Sequence, residues 1–222
     1  MPDLRFSVDA IKVASSAAIP TLLFKLGIEN STPEERIHSI LLRCQVQIQV
    51  ARRSYTAEEK ENLYELFDRT ERWGKPLKSL AWTQVTLVVP GFEKDTVADL
   101  QVPCSFDFNV AGTKYFHALA GGEVPLSLLF TGTVFYLSDD GPLQVAQIPW
   151  DKEAECRFPV SIWGELMEVY YPNGVWLCLR NDVFDRINEF KVRNGLSSFD
   201  AALEKMAEAA EEGTTVGEGV KR

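Results

Sequence analysis

Residues 40–50, ILLRCQVQIQV, alternate apolar and polar side chains, and this pattern constrains the fold more than any other in the chain. The apolar side chains share one face and the polar ones the other; the apolar set is Ile40, Leu42, Cys44, Val46, Ile48 and Val50. A period of two with one apolar face predicts a β-strand whose sheet is covered on one side. Such half-covered strands are typical of antiparallel sheets.

Similar alternation predicts further strands at 4–13, 20–29, 83–89, 100–110 and 124–137, and one that ends at Ile148. Thr56, with Glu59 three residues later, forms a capping-box pattern and predicts a helix over 57–67. Helices are also predicted at 114–120 and 159–169. We therefore expect an α+β protein with a mainly antiparallel β-sandwich-like core over residues 1–158 and peripheral helices.

The C-terminal stretch VWLCLRNDVFDRINEFKVRNGLSSFDAALEKM, residues 175–206, predicts a different local structure. A strand at 175–179 is followed by two helices, the first capped by Asn181 or Asp182 and the second by Ser197. We expect residues 159–212 to form a C-terminal helical segment packed on the core. Residues 213–222 are polar and glycine-rich, and we expect a disordered tail there.

A strand followed by two helices is also the order of elements in ribbon-helix-helix DNA-binding proteins. Their strand reads base edges with polar side chains. Here the predicted strand offers mainly apolar side chains, and residues 175–212 carry five Lys/Arg against eight Asp/Glu. We expect this segment to pack on the sheet, with a homodimer formed through it as the alternative and DNA binding as the least favoured reading.

The charge of the chain argues against nucleic acid as a partner. The net charge is −9 and the isoelectric point is about 4.9. Residues 43–78 have a net charge of +2 and residues 91–174 of −8, an asymmetry that can steer a protein partner. No apolar run approaches the ~20 residues that span a bilayer. The beginning, MPDLRFSVDAIKV, lacks the basic start and the continuous apolar stretch typical of a signal peptide, so we do not expect one. We expect a cytoplasmic protein that binds neither nucleic acid nor membrane.

The sequence offers little that points to catalysis or to a bound metal. The four cysteines are far apart and apolar in context, so we expect them to be buried. Lys114, Tyr115, His117 and Glu123 combine groups used in acid–base chemistry, but their neighbours favour packing. Motifs for phosphate loops, dinucleotide binding, zinc helices and serine nucleophiles do not occur. We expect no catalytic residue, no metal ligands and no cofactor.

The segment 69–82, RTERWGKPLKSLAW, is the most unusual loop because it combines two tryptophans with Arg69, Arg72, Lys75 and Lys78. Aromatic and arginine side chains are enriched where interfaces are tight. We predict a partner-binding surface from this loop and from the second C-terminal helix, made by Arg72, Trp73, Lys75, Trp82 and Phe199. In the alternative, both tryptophans fold back over one end of the sheet.

Four long stretches resemble an uncharacterised bacterial family, one of the numbered domains of unknown function: VPCSFDFNVAGTKYFHAL, GEVPLSLLFTGTVFYL, LQVAQIPWDKEAECRFPVSIWGELME and GVWLCLRNDVFDRINEFKVRNGLSSFDAAL. With the β-rich beginning, the likeness covers almost the whole chain. The family supplies no catalytic residues. Some members are encoded near nickel–iron hydrogenase genes, and the resemblance therefore implies an accessory or assembly role.

These observations together predict a non-enzymatic accessory or interaction protein of a larger bacterial assembly, with hydrogenase as the implied context. The first alternative is a small-molecule-binding protein or an enzyme. It requires a sizeable pocket between the sheets, with convergent polar groups near His117. A transcription regulator is the second alternative, and it requires a basic strand that this sequence lacks.

Overall fold

A computed structural model describes residues 1–68, 73, 79–105, 110–138, 141–174 and 177–217. The strands are β1 Leu4–Val13, β2 Thr21–Asn30, β3 Glu35–Ile48, β4 Leu80–Phe92, β5 Asp95–Pro103, β6 Glu123–Ser138, β7 Gln144–Gln147 and β8 Glu153–Pro159. The helices are α1 Ala57–Asn62, α2 Tyr64–Phe67, α3 Val110–His117, α4 Val160–Tyr170, α5 Asn181–Arg193 and α6 Phe199–Gly217, with a short 3₁₀ helix at Val50–Arg52.

Two antiparallel sheets pack against each other, as the alternation predicted. The first sheet has the order β1-β2-β5. The second has the order β4-β3-β6-β7, and β8 also pairs with β6. The α+β class with a β-sandwich-like core is therefore confirmed. Strand β8 is an addition that the sequence analysis did not predict, because its seven residues alternate too briefly to stand out.

The core lies between the inward faces of the two sheets. On β3, Ile40, Leu42 and Cys44 are completely buried, and so are the next two alternate residues, Val46 and Ile48. Phe6 of β1 stacks on Phe130 of β6 with ring centroids 4.2 Å apart, which joins the two layers. Burial of each large apolar side chain stabilises the fold by roughly 1.5–3 kcal/mol. The apolar residues that alternate in 40–50 thus form the inward face of a central strand.

Strand β6 changes partners part-way along its length. Its first half, Glu123–Leu129, pairs with β8, and Thr133–Tyr136 pairs with β7. Gly132 lies at the change-over with a φ of +147°, a backbone conformation that side-chain-bearing residues rarely adopt. A Cβ atom at this position would lie 2.1 Å from the Leu41 carbonyl oxygen of β3. Only glycine therefore lets β3 and β6 approach this closely.

The predicted helices are present, with shifted boundaries. The Thr56–Glu59 capping box forms, and Leu63 divides the predicted 57–67 helix into α1 and α2. Helix α3 begins at Val110, where the end of a strand was predicted; β5 ends at Pro103, and 106–109 lie outside the described residues. Helix α4 packs with the sheets and begins after Pro159, which acts as its N-cap residue.

The chain divides into two compact units, residues 1–174 and 175–222. Helix α4, which the sequence analysis grouped with the C-terminal segment, falls in the first unit. The second unit contains α5 packed on α6, with Ile187 and Ala202 as its buried side chains in the described part. Helix α6 runs on to Gly217, into the predicted tail, while 218–222 lie outside the described residues.

Two local expectations for the second unit are wrong. Residues 177–180 form no strand, so the ribbon of a ribbon-helix-helix protein is missing from the described part; 175 and 176 lie outside it. The cap residues also differ from the predicted Asn181 or Asp182 and Ser197. Arg180 is the N-cap residue of α5, and at α6 the Ser198 hydroxyl accepts a hydrogen bond from the Ala201 amide. Adjacent polar residues compete for a cap, so the sequence does not fix which one is used.

Replacing Gly132 with alanine should destabilise the protein by about 3 kcal/mol, because the new Cβ meets a backbone carbonyl and φ is strained. Gly164→Ala is the matched control: it lies within α4 with nothing within 4 Å of its added Cβ. That substitution should stabilise the helix by about 0.5–1 kcal/mol. Urea unfolding followed by circular dichroism measures both, and equal midpoints for the two variants would contradict the role of Gly132.

Candidate functional site

Trp73 packs back onto the protein. Its indole ring stands edge-on to Tyr55 and Phe67, with centroids 5.5 Å and 5.7 Å apart, and its Nε1 donates a hydrogen bond to the Asp68 carbonyl oxygen at 3.1 Å. The side chain is half-buried, so part of it faces solvent. The two basic residues predicted to act with it, Arg72 and Lys75, lie outside the described residues.

Trp82 occupies the core at the end of the sheets. Its side chain is 4% exposed and contacts the rings of Phe24, Phe116 and Phe158 at centroid distances of 6.3, 4.8 and 5.9 Å. A side chain buried to this extent gives a partner almost no area to contact. We therefore leave Trp82 out of the candidate surface, and the alternative of packing against the sheet describes its position.

Phe199, at the start of α6, is 37% exposed and lies beside a second aromatic ring. The ring of Phe184 in α5 is 5.2 Å away and 44% exposed, and Lys191 Nζ lies 5.1 Å from the centroid of the Phe199 ring. The structure thus adds Phe184, which sequence reasoning did not select, to the predicted Phe199. Part of the apolar surface of both phenylalanine rings therefore remains exposed to solvent on the helical unit.

A buried ion pair fixes the region on which Trp73 packs. Arg53 Nη2 donates to Glu59 Oε1 at 2.8 Å and to the Gly121 carbonyl oxygen at 2.5 Å. The Glu59 carboxylate also accepts from the amides of Thr56 and Ala120 at 3.0 and 3.1 Å. Burial raises the pKa of Glu59, but these two amides and the guanidinium outweigh it and hold the pKa below its ordinary value.

Two tyrosines complete this network, and both hydroxyls stay protonated. Tyr55 and Tyr115 share a hydrogen bond with 2.8 Å between their hydroxyl oxygens, and the Tyr55 hydroxyl also donates to the Val50 carbonyl oxygen. Burial is the main cause that raises the pKa of both phenols, so they are neutral at physiological pH. The network therefore serves to join α1, α3 and the turn after α3.

The outer face of the second sheet carries an apolar patch that extends across β4, β3, β6 and β7. We call it the sheet-face patch, and its members are Leu41, Val88, Phe135 and Val145. Val88 lies opposite Leu41 in the pairing of β4 with β3, and Phe135 lies opposite Val145 in the pairing of β6 with β7. Leu41, Val88 and Val145 are 47%, 68% and 59% exposed. These side chains face solvent on a rigid sheet, whereas the alternate residues fill the core.

Trp150 is 90% exposed, more than any other large apolar side chain in the described part. It lies in the loop 148–152, between β7 and β8. The amide of Ile148 donates to the Gly132 carbonyl oxygen, and the amide of Phe130 donates to the Lys152 carbonyl oxygen, both at 2.9 Å. Sequence reasoning missed this residue, although a tryptophan between proline and aspartate in a polar turn is a recognisable signal.

A hollow of about 430 Å³ opens beside His117, at the C-terminal end of α3 and the first turn of α4. Its walls are mostly apolar, formed by Phe116, Leu119 and Met167, with Ser161 as a further polar group. Trp163 also lines it, and the indole Nε1 of this residue has no acceptor among the described residues. Burial lowers the pKa of His117, which keeps the imidazole neutral at physiological pH.

The other groups of the predicted acid–base combination do not converge on His117. Lys114 forms an ion pair with Glu65 of α2, and Glu123 lies 3.8 Å from Arg157 of β8. Tyr115 is completely buried in the network described above. Tyr115, Phe116 and Leu119 are all buried, so the prediction that this stretch packs is confirmed.

Two of the four cysteines have the expected burial, and a third is partly buried. Cys44 and Cys104 are buried, Cys156 is half-buried, and burial raises the pKa of each thiol to about 12. Cys178 is exposed, and the expectation of burial was wrong there because 177–180 do not form the predicted strand.

The described part of the chain contains neither a metal-binding cluster nor a membrane-spanning helix. No group of three or more His, Cys, Asp or Glu side chains is placed there to hold a metal ion. None of the helices described is both long and apolar enough to cross a membrane.

Comparison with known proteins places the chain in a family. Residues 1–215 match the model of the family of unknown function DUF6084, and the chain therefore belongs to this family. No curated protein matches the chain. No solved structure matches it either.

Glu59→Gln should lower the stability of the protein by about 3 kcal/mol, because it leaves the buried Arg53 guanidinium without its counter-charge. Glu58→Gln, which alters an exposed carboxylate in the same helical turn, should change stability little. Thermal unfolding at pH 7 measures both. Similar losses in the two variants would show that the ion pair is not the stabilising contact.

The same carboxylate should make stability depend on pH. Because the pKa of Glu59 is depressed in the folded state, its contribution is complete above the ordinary value of 4.5 and is lost as pH falls through the folded-state pKa. The stability difference between wild type and Glu59→Gln should therefore narrow below pH 4.5. A difference that stays constant between pH 7 and pH 3 would contradict this assignment.

Proposed function

We propose that this member of the DUF6084 family is a non-enzymatic accessory or interaction protein of a larger bacterial assembly, acting in the cytoplasm. The observation that carries the proposal is the sheet-face patch. Its three most exposed side chains lie on one sheet: Leu41 and Val88 are opposite each other on the neighbouring strands β3 and β4, and Val145 is on β7, beyond β6. Clustered apolar side chains that face solvent on a rigid element are typical of protein interaction sites.

The surroundings of the sheet-face patch fit such a role. Polar residues border it on the same face, where Thr86, Arg43 and Thr131 are paired across β4, β3 and β6. An apolar centre with a polar rim is the common arrangement of protein interfaces. A sheet also needs little ordering when it binds, so less of the interaction energy is lost.

The helical unit supports a second contact. Phe184, Phe199 and Leu203 are 44%, 37% and 38% exposed, and a pair of helices alone buries too little apolar surface to be stable without help. We propose that this unit forms the homodimer contact or a further partner contact. The family resemblance makes nickel–iron hydrogenase subunits the first complex to test.

The alternative function is the binding of a small molecule in the hollow beside His117. A neutral imidazole, the Ser161 hydroxyl and the free indole N–H of Trp163 are polar groups within or beside mostly apolar walls. In addition, no side chain caps the first turn of α4. A ligand that fits this chemistry is a small, largely apolar molecule with one hydrogen-bonding end.

Leu41→Lys with Val88→Lys should abolish capture of the partner, because two charges at the centre of the sheet-face patch would be desolvated on binding. The control is Gln84→Lys, an exposed residue on the same face of β4. Tagged proteins are used to isolate complexes from cells of the source organism, and stoichiometry is measured by light scattering. Full capture by the double variant would reject the sheet-face patch, and absence of any stoichiometric complex with wild type would reject the proposal.

Gly164→Phe should block the alternative site, because the position borders the hollow and its added Cβ has free space. A panel of small carboxylic acids, alcohols and amides is tested by thermal shift. A compound that stabilises wild type and the exposed control variant Glu165→Gln, but not Gly164→Phe, would establish the site. A panel without any stabilising compound would count against it.

A further inference from the structure

We propose that the loop 148–152 presents Trp150 as the anchor of a contact with a protein whose surface has an apolar pocket rimmed by lysine and arginine. This inference rests on the proposed interaction function and goes further, since it assigns a loop outside the sheet-face patch and the chemistry of the partner. Three features of the loop carry it: the exposure of the indole, the fixed backbone and the surrounding charge.

Exposure is the first feature. Trp150 is 90% exposed, whereas Trp82 and Trp163 are 4% and 3% exposed. Tryptophan is highly buried on average in folded proteins, so an indole with this exposure is unusual. Tryptophan is also among the residue types most enriched at the energetic centres of protein interfaces. Nearly the whole surface of the Trp150 indole is therefore available for burial by a partner.

The second feature is that the loop backbone is held at both ends. Ile148 is hydrogen-bonded to Gly132 of β6, and Lys152 is hydrogen-bonded to Phe130 of the same strand. The Lys152 amide also donates to the Pro149 carbonyl oxygen at 3.2 Å, which closes the turn around Trp150. The side chain of Ile148, two residues before Trp150, is buried and anchors the loop in the core. A side chain on a fixed turn loses little backbone freedom when it binds.

Charge is the third feature, and it selects the partner. Residues 139–155 contain five acidic residues and one lysine. That lysine, Lys152, is paired with Asp3 at 2.6 Å, and Glu155 is paired with Arg52. Asp151 and Glu153 are exposed and make no ion pair with another described residue. Asp151 next to Trp150, together with Glu153, which lies near enough to Arg52 to interact with its guanidinium, gives the loop an acidic character, and a partner with basic residues around its pocket complements it.

The same charges disfavour two other occupants. In a symmetric dimer built on this loop, the acidic borders of the two copies would face each other and repel. An anionic membrane surface would likewise repel Asp151 and Glu153, although an exposed tryptophan is common in membrane-binding loops. A basic protein surface is the occupant that satisfies both the apolar and the charged part of the loop.

The test replaces Trp150 with the photo-reactive residue p-benzoylphenylalanine in the full-length protein. The purified protein is added to an extract of source cells and irradiated, and adducts are identified by mass spectrometry. Tyr64, which is 56% exposed, carries the same replacement in the control protein. A single protein cross-linked at position 150 and not at 64, through a peptide that borders a lysine and arginine cluster, supports the inference.

The identified protein is then purified and titrated against variants. Trp150→Ala should weaken binding at least about 30-fold, as expected for a central tryptophan. Asp151→Lys with Glu153→Lys should weaken it about 10-fold and reduce its sensitivity to salt. Tyr64→Ala should leave the affinity unchanged. Equal binding by Trp150→Ala and wild type would overturn the inference.

The other outcomes also decide the matter. A cross-link from position 150 to a second copy of the chain, to lipid, or to the same proteins as position 64 would overturn the inference, and so would the absence of any adduct. The proposed function is tested separately, because capture through the sheet-face patch does not require Trp150. Capture that persists with Trp150→Ala but fails with the Leu41→Lys, Val88→Lys variant would retain the function and reject this loop.

Discussion

The burial of one face of β3 is the constraint on which the rest of the structure depends. This strand is paired along nearly its whole length with β4 on one side and with β6 on the other. Its inward side chains are completely buried from Ile40 to Ile48 at every second position. A shift of one residue would turn all of them to solvent, so the register of the second sheet is fixed by this single strand. The outward face of the same register carries Leu41 between Val88 and Thr133, and the sheet-face patch is therefore a consequence of it.

The end of the sandwich depends on a polar contact as well. There, the Arg53–Glu59 pair and the two tyrosines join α1 to the turn that leads into β6. Both oxygens of the Glu59 carboxylate accept hydrogen bonds. A buried charge is tolerated when it is paired and hydrogen-bonded in this way. The aromatic rings of Tyr55 and Phe67 then give Trp73 a surface to pack on. Packing and polar contacts thus hold the Trp73 side chain against the body of the protein.

Sequence patterns predicted the parts of the fold that follow local rules. The strands with long alternation, the Thr56 capping box and both C-terminal helices were predicted because their signals lie within a few residues. The burial of Trp82 was given only as the alternative to a partner contact, since it depends on rings from β2, α3 and β8 that are distant in sequence. Trp150 was missed for a related reason. The Pro-Trp-Asp sequence marks a turn, but the loop's place between β7 and β8 depends on the pairing of both strands with the distant β6.

That exchange on β6 has an implication for how this family can vary. Strands β7 and β8 are each aligned by their own pairing with β6, and neither is aligned through the other. The segment between them therefore tolerates changes in length and composition without moving either strand. Such a position lets a scaffold acquire new recognition loops during evolution while its packed interior stays the same. Gly132, at the exchange point, would be retained throughout that divergence. It is needed for the close approach of the β3 and β6 backbones, which does not depend on the sequence of the loop.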